Sequence, residues 1–301
     1  MSKQFRGIAA LTLCTIIWGF AFIAQSVGMD RLGPFTFQAI RAALAVAFLF
    51  PFSFLLDRGQ CTFSQSWEKW RSPKLWRSGI VCGVALFVAS SLQQVGLVDT
   101  DAGKAGFLTA MYVVLVPVLG LFRGQKPSRN LLFSVLLAVM GLYLLSCAGV
   151  SGIRKGDLLM IGSAFGFAVQ ITLVSILSPG QDGFRLNCVQ SLTVSVLSCI
   201  PMVLTETPVW ADITACWLPL LFAGVLSMGV AYSLQIVGQK HVEPTAASLI
   251  MSLESAFAAL GGWWFLNERM TGREYLGCAL VFIAVILSQL PGKKNTSLGP
   301  Q

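Results

Sequence analysis

The sequence predicts an all-α integral membrane protein whose ten transmembrane helices form two inverted five-helix repeats. Three observations lead there. Of 301 residues, 55% are hydrophobic and only 11% are charged, against about 25% charged in a soluble domain, and the mean hydropathy is +0.74. The apolar runs extend to about 20 residues without alternating, the length at which a helix rather than a barrel strand crosses roughly 30 Å of hydrocarbon. The third observation is an internal repeat, described below.

Hydropathy with turn and charge punctuation places spans at 7–27, 34–56, 77–97, 102–122 and 130–148, then at 156–177, 185–204, 215–237, 244–265 and 273–290. Lys3 and Arg6 before the first run imitate a signal peptide. That run is too long, lacks a small-residue cleavage site and precedes many further spans, so it is expected to be a retained helix. The inner segments of a chain with its N-terminus inside would hold 14 Lys and Arg, including Arg58, Lys69, Arg71, Lys74, Arg77 and Arg185, against 6 outside. Both termini are therefore expected to be cytoplasmic.

Gly7 to Ser26 lays onto Gly156 to Ser175 at an offset of 149, which also pairs Arg41 with Gln190. GVALFVASSLQQVG from Gly83 matches GVLSMGVAYSLQIV from Gly224 at an offset of 141, pairing Gln94 with Gln235. Five spans per unit is an odd number, so the second copy enters the membrane upside down. Inverted repeats mark transporters, whose solute site lies near the midplane between the halves. The expected domains are 1–150 and 151–301, with the boundary near Ser151-Gly-Ile-Arg-Lys155.

Trp18-Gly19, Arg41 within Ile40-Arg-Ala-Ala-Leu44, GFLTAMYVVLVP from Gly106, YSLQ at Tyr232 to Gln235 and SLESAFAALGGWWFLNERMTGREYLG from Ser252 together resemble the EamA family of the drug/metabolite transporter superfamily. The resemblance covers nearly the whole chain. It implies a ten-helix inverted-repeat carrier of the bacterial inner membrane, usually an exporter of amino acids, metabolites or toxic compounds. One departure is Glu254-Ser255 where the family often has Glu-Pro, which weakens the kink expected there.

Polar residues inside the spans are the candidate site. Glu254 stands about ten residues after Pro244, roughly 15 Å into its helix, where a charge costs at least about 2.5 to 3.5 kcal/mol. Its helix face carries Ala247, Ala258 and Gly261; Thr245, Ser248, Ser252 and Ser255 form a small polar stripe, and Leu249, Leu253, Leu260 and Trp264 an apolar face suited to lipid. Glu254 either lines the pathway, coupling protons or binding a cationic group, or is a packing residue that holds two helices together. Arg41 is read as a structural arginine satisfied by loop carbonyls at the outer end, with a counter-ion for Glu254 or an anchor for an anionic substrate group as alternatives. Lys104 is expected to snorkel to the interface. Trp18, Gln25, Gln94, Tyr112, Gln170, Tyr232 and Gln235 lie on helices that resemble the family's cavity-lining set; each could equally serve helix–helix hydrogen bonding. Pro117 and Pro201 are expected kinks.

The net charge of +8 suggests nucleic acid less than it suggests basic loops. The eight cysteines show no C-x-x-C spacing and lie mostly in apolar runs, so neither a metal site nor disulfides are expected. The only histidine is His241, and there is no H-E-x-x-H or P-loop motif, which argues against an enzyme or a nucleotide-driven pump. The expected function is a secondary transporter, with an uncoupled facilitator or exchanger, or a non-transporting accessory protein, as alternatives. Its expected partners are the lipid bilayer, a small-molecule substrate and protons, without cofactor or nucleic acid, as a monomer or homodimer.

Overall fold

A computed structural model describes residues 2–100, 102–125, 127–146, 154–265 and 271–290, which form helices joined by short turns, with no strand among them. Asp101, Lys126, the Ser151–Ile153 part of the expected boundary and the Asn267-Glu268-Arg269 turn lie outside the described residues, as do the side chains of Lys104 and Trp264.

Helix α1 (Lys3–Met29) starts on Ser2, whose hydroxyl accepts the Phe5 N–H at 3.2 Å. Helices α2 (Pro34–Asp57) and α4 (Pro73–Leu97) start on prolines, tolerated in a first turn because that N–H has no helical acceptor. Between them, α3 (Phe63–Trp70) is closed by the Thr62/Gln65 capping box. Next come α5 (Ala102–Ala110), α6 (Tyr112–Phe122), α7 (Arg129–Ser146), α8 (Lys155–Leu177) and α9 (Gly183–Thr205). Helices α10 (Trp210–Ala215) and α11 (Trp217–Leu221) lead into a π-helical segment, Phe222–Ala231, which continues as α12 (Tyr232–Gln239). The chain ends in α13 (Pro244–Met251), α14 (Leu253–Phe265) and α15 (Gly272–Gln289).

Eight described stretches are long and apolar enough to cross a membrane: α1, α2, α4, Ala105–Phe122, α8, α9, Trp217–Gln239 and α15. Where the fifth and ninth spans were expected stand the shorter apolar α7 and the divided pair α13 and α14. Large apolar side chains such as Leu136, Phe165, Val196 and Ile286 point outward; on a membrane protein such a surface is solvated by lipid. The expected lipid face of the ninth span is corrected: Leu249 and Leu253 are buried. Helix α13 is enclosed by α1, α6, α7, α8 and α15, and a helix apolar on most sides belongs in the interior. Helix α9 runs unbroken through Pro201, while the fourth span breaks at Met111, ahead of Pro117.

The strongest helix pairings are α2 with α9, α4 with α8 and α9, α7 with α15, α1 with α14, and α2 with the π-helical segment. Small residues make them close. A Cβ on Gly141 would stand 2.8 Å from the Gly277 carbonyl oxygen, and one on Gly277 would stand 2.7 Å from that of Gly141. In lipid, association of this kind rests on close packing rather than on water exclusion. Carboxylates tie the ends of α2 and α9. Asp57, closing α2, accepts Arg185 from α9 at 2.6 Å and Lys69 at 2.7 Å. Arg185, only 1% exposed, also donates to Asp182 at 2.6 Å and to the Ser66 hydroxyl at 2.9 Å. The Asp57 carboxylate holds the Lys69 ammonium pKa above the ordinary lysine value. At the opposite end, Glu206 accepts the Phe35 and Thr36 N–H groups at 2.9 and 2.7 Å and the Thr36 hydroxyl at 2.6 Å. It thus caps α2, where the helix dipole favours an anion.

Two stability outcomes are expected in thermal unfolding of the detergent-solubilised protein. Gly141→Leu destabilises by about 1–3 kcal/mol through overpacking, whereas Gly272→Ala, which meets no atom within 4 Å, stays within about 0.5 kcal/mol of the parent. Arg185→Met leaves Asp57 short of its buried partner and costs about 3–5 kcal/mol, much of it recovered by adding Asp57→Asn.

Candidate functional site

The fourth span and the α13–α14 pair are each interrupted by one residue, at Met111 and Ser252. Both residues keep right-handed dihedrals, but ψ rises to −11° and −14°. Tighter three-residue bonds run from Val114 N–H to the Met111 carbonyl at 3.0 Å and from Ser255 N–H to that of Ser252 at 3.3 Å. Such breaks expose half-helix termini where polar ligands bind in transporters. Immediately after them, the Tyr112 hydroxyl donates to Glu254 Oε1 at 3.0 Å. Glu254 is 6% exposed and stands in the first turn of α14.

Glu254 opens onto a buried polar cavity of about 40 Å³ lined also by Trp18, Gln25, Arg41 and Tyr232. That is room for about one to three waters and far below the roughly 300–1,000 Å³ of a small-molecule site. Arg41 does not reach loop carbonyls, as the sequence suggested; its Nη1 donates to Gln25 Oε1 at 2.6 Å, and Phe37 lies beneath its guanidinium at 5.8 Å. The reason is local: Gln25, near the end of α1, is itself buried and directed inward. None of the ion pairs among the described residues involves Arg41 or Glu254, so the two side chains share a cavity without forming a salt bridge. Trp18 packs against Tyr232 with centroids 4.8 Å apart and planes tilted by 60°, and neither Trp18 Nε1 nor Arg41 Nε has a hydrogen-bond partner. The chamber therefore offers spare donors, one carboxylate and an aromatic wall.

Of the candidate residues, Trp18, Gln25, Arg41, Tyr232 and Glu254 line the cavity and Tyr112 adjoins it through Glu254. Gln94, Gln170 and Gln235 are not in its wall. Gln94 donates to Met29 Sδ at 3.4 Å. Gln235 donates to Gln170 at 3.1 Å and Gln170 to Gln190 at 3.3 Å, an amide chain joining α12, α8 and α9. Sequence reasoning missed Phe22, Gln93, Thr109, Phe167 and Ser227 in the wall. Gln93 was within reach of it: the glutamines are adjacent, and one residue turns a helix by about 100°. The side chain of Lys104 lies outside the described residues.

A model of the EamA-like transporter family matches residues 5–147 and 154–290. An uncharacterized transporter of Archaeoglobus fulgidus is 32% identical over 96% of this chain and 87% of its own length. The threonine/homoserine exporter RhtA of Salmonella typhimurium is 31% identical over 54% of this chain and 56% of its own. A protein of known crystal structure, 18% identical, superposes with a TM-score of 0.80 over 97% of this chain and 99% of that one, a likeness of fold. Matches of this extent place the chain in the EamA-like transporter family, as a multi-pass membrane transporter.

Proposed function

We propose that the protein is a secondary carrier that exports a small polar solute, an amino acid, metabolite or drug-like compound, by alternating access between two inverted five-helix halves. The observation that carries this reading is the meeting of two interrupted helices, through Tyr112 and Glu254, at a buried cavity whose arginine and acidic side chain form no ion pair among the described residues. A packing residue alone would not need a cavity beside it. The threonine/homoserine exporter among the relatives favours amino acids as the solute class.

Contacts that recur at the sequence offsets support the inverted halves. A Cβ on Gly83 would meet the Gln190 carbonyl at 2.8 Å and Thr193 Cβ at 2.5 Å; one on Gly224 would meet the Arg41 carbonyl at 2.9 Å and Leu44 Cβ at 2.7 Å. Gly83 maps to Gly224 at the offset of 141, and Arg41 and Leu44 map to Gln190 and Thr193 at 149. The breaks at Met111 and Ser252 are again 141 apart, and the helix-closing carboxylates Asp57 and Glu206 are 149 apart. The separate family matches over 5–147 and 154–290 fit two such units. The cavity volume has a mechanistic consequence: about 40 Å³ cannot hold an amino acid, so this conformation corresponds to a closed step. In this reading the chain lies in a bacterial inner membrane with both termini cytoplasmic, and Glu254 exchanges a proton for solute.

In proteoliposomes, a proton gradient is expected to accelerate solute flux through the parent protein and to have no effect on Glu254→Gln; accelerated flux in the folded variant removes the coupling role. In a cysteine-free background, Gln60→Cys is expected to react with membrane-impermeant reagents from the cytoplasmic side only and Thr207→Cys from the outer side only. Reaction of both from one side overturns the topology.

A further inference from the structure

The π-helical segment Phe222–Ala231 meets one buried amide at its C-terminal end. Tyr232 N–H bonds the Ser227 carbonyl, five residues back. In an α-helix that N–H would go to the Met228 carbonyl four residues back, which here is left for another donor. Asn187, on the facing helix α9 and fully buried, supplies it: its Nδ2, with two hydrogens to share, lies 2.9 Å from the Met228 carbonyl, 2.8 Å from the Gly229 carbonyl and 3.0 Å from the Ser233 hydroxyl. Its own oxygen accepts Gln190 Nε2 at 3.3 Å, which ends the amide chain from Gln235 and Gln170.

The register matters to the cavity. Ser227 and Tyr232 both line it, yet residues five apart on an α-helix diverge by about 140°. They share a face because the turn between them closes at five residues rather than four.

We infer that Asn187 is a positioning residue: by capping the carbonyl that the five-residue turn releases, it holds the register that turns Ser227 and Tyr232 together into the solute cavity. Without that amide, the Met228 carbonyl would be buried and unpaired, and the α register, which satisfies it within the helix, becomes the favoured one. Ser227 and Tyr232 then separate, and the Trp18–Tyr232 wall is dismantled. The value of this placement to transport rests on the carrier reading above; the placement itself does not.

The test uses a small methanethiosulfonate reagent on the full chain in a cysteine-free background, comparing Ser227→Cys with Thr109→Cys, which lines the same cavity from α5. The ratio of their modification rates cancels how often the cavity opens. Adding Asn187→Leu is expected to lower that ratio about tenfold, a shift within reach of one buried carbonyl left unpaired. Asn187→Ser, which keeps one hydroxyl donor, is expected to lower it less, and it decides the matter if the leucine variant does not fold. A ratio unchanged in the folded variant overturns the inference. Because no solute is needed, a failure of the carrier reading, seen as no flux in the parent protein, is separable from a failure of this one.

Discussion

Everything polar in this interior must be satisfied by the protein itself, because hydrocarbon supplies neither donors nor acceptors. The chain meets that constraint in three ways. Most backbone groups are absorbed by helices. Groups released by irregular turns are taken up by side chains on neighbouring helices, as when Asn187 caps the Met228 and Gly229 carbonyls. Charges at the ends of α2 and α9 are paired, with Asp57 against Arg185 and Lys69, and Glu206 against the first turn of α2. Satisfaction is not complete: Trp18 Nε1 and Arg41 Nε beside Glu254 have no protein partner, and neither do Gln38 Oε1, Trp70 Nε1 and Arg185 Nε elsewhere. In the proposed carrier, the spare donors around Glu254 are the ones that face a cavity and so can be used by a polar solute.

What was legible in the sequence follows from how loudly each residue breaks an apolar run. Glu254, Arg41, Gln25, Trp18 and Tyr232 could be found because a charge, amide or large aromatic stands out against leucine and valine, and the cavity gathers these residues. The π-helical segment could not be found. FAGVLSMGVA has the composition of any apolar helix, and its turn is set by Asn187, some forty residues earlier in the chain. Asn187 was itself hidden beside Arg185, which charge counting assigned to a loop although it is one of the largest fully buried side chains. Basic residues near a span end look alike in sequence whether they face headgroups or reach back to a carboxylate.

The break at Ser252 illustrates a different limit. The expected kink depended on a proline after the carboxylate, and serine stands there. The interruption occurs all the same, ahead of Glu254, with Ser252 Oγ donating to the Leu249 carbonyl at 2.7 Å. A side-chain hydroxyl bonded back along the helix competes with the backbone ladder and bends it. The same residue type in the polar stripe was read as suited to close packing, which the burial of Thr245, Ser248 and Ser255 agrees with; its second use could not be separated from the first by spacing alone.

The ties at both ends of α2 and α9 have one further consequence. Two rods joined at a single end can open like scissors, whereas rods joined at both ends cannot change their mutual angle without breaking a tie. With Arg185 seated on Asp57 at one end and Thr36 on Glu206 at the other, α2 and α9 behave as a brace of fixed geometry. Each belongs to a different half of the proposed repeat, so in the proposed carrier the brace would couple the halves and leave motion to the interrupted helices at Met111 and Ser252.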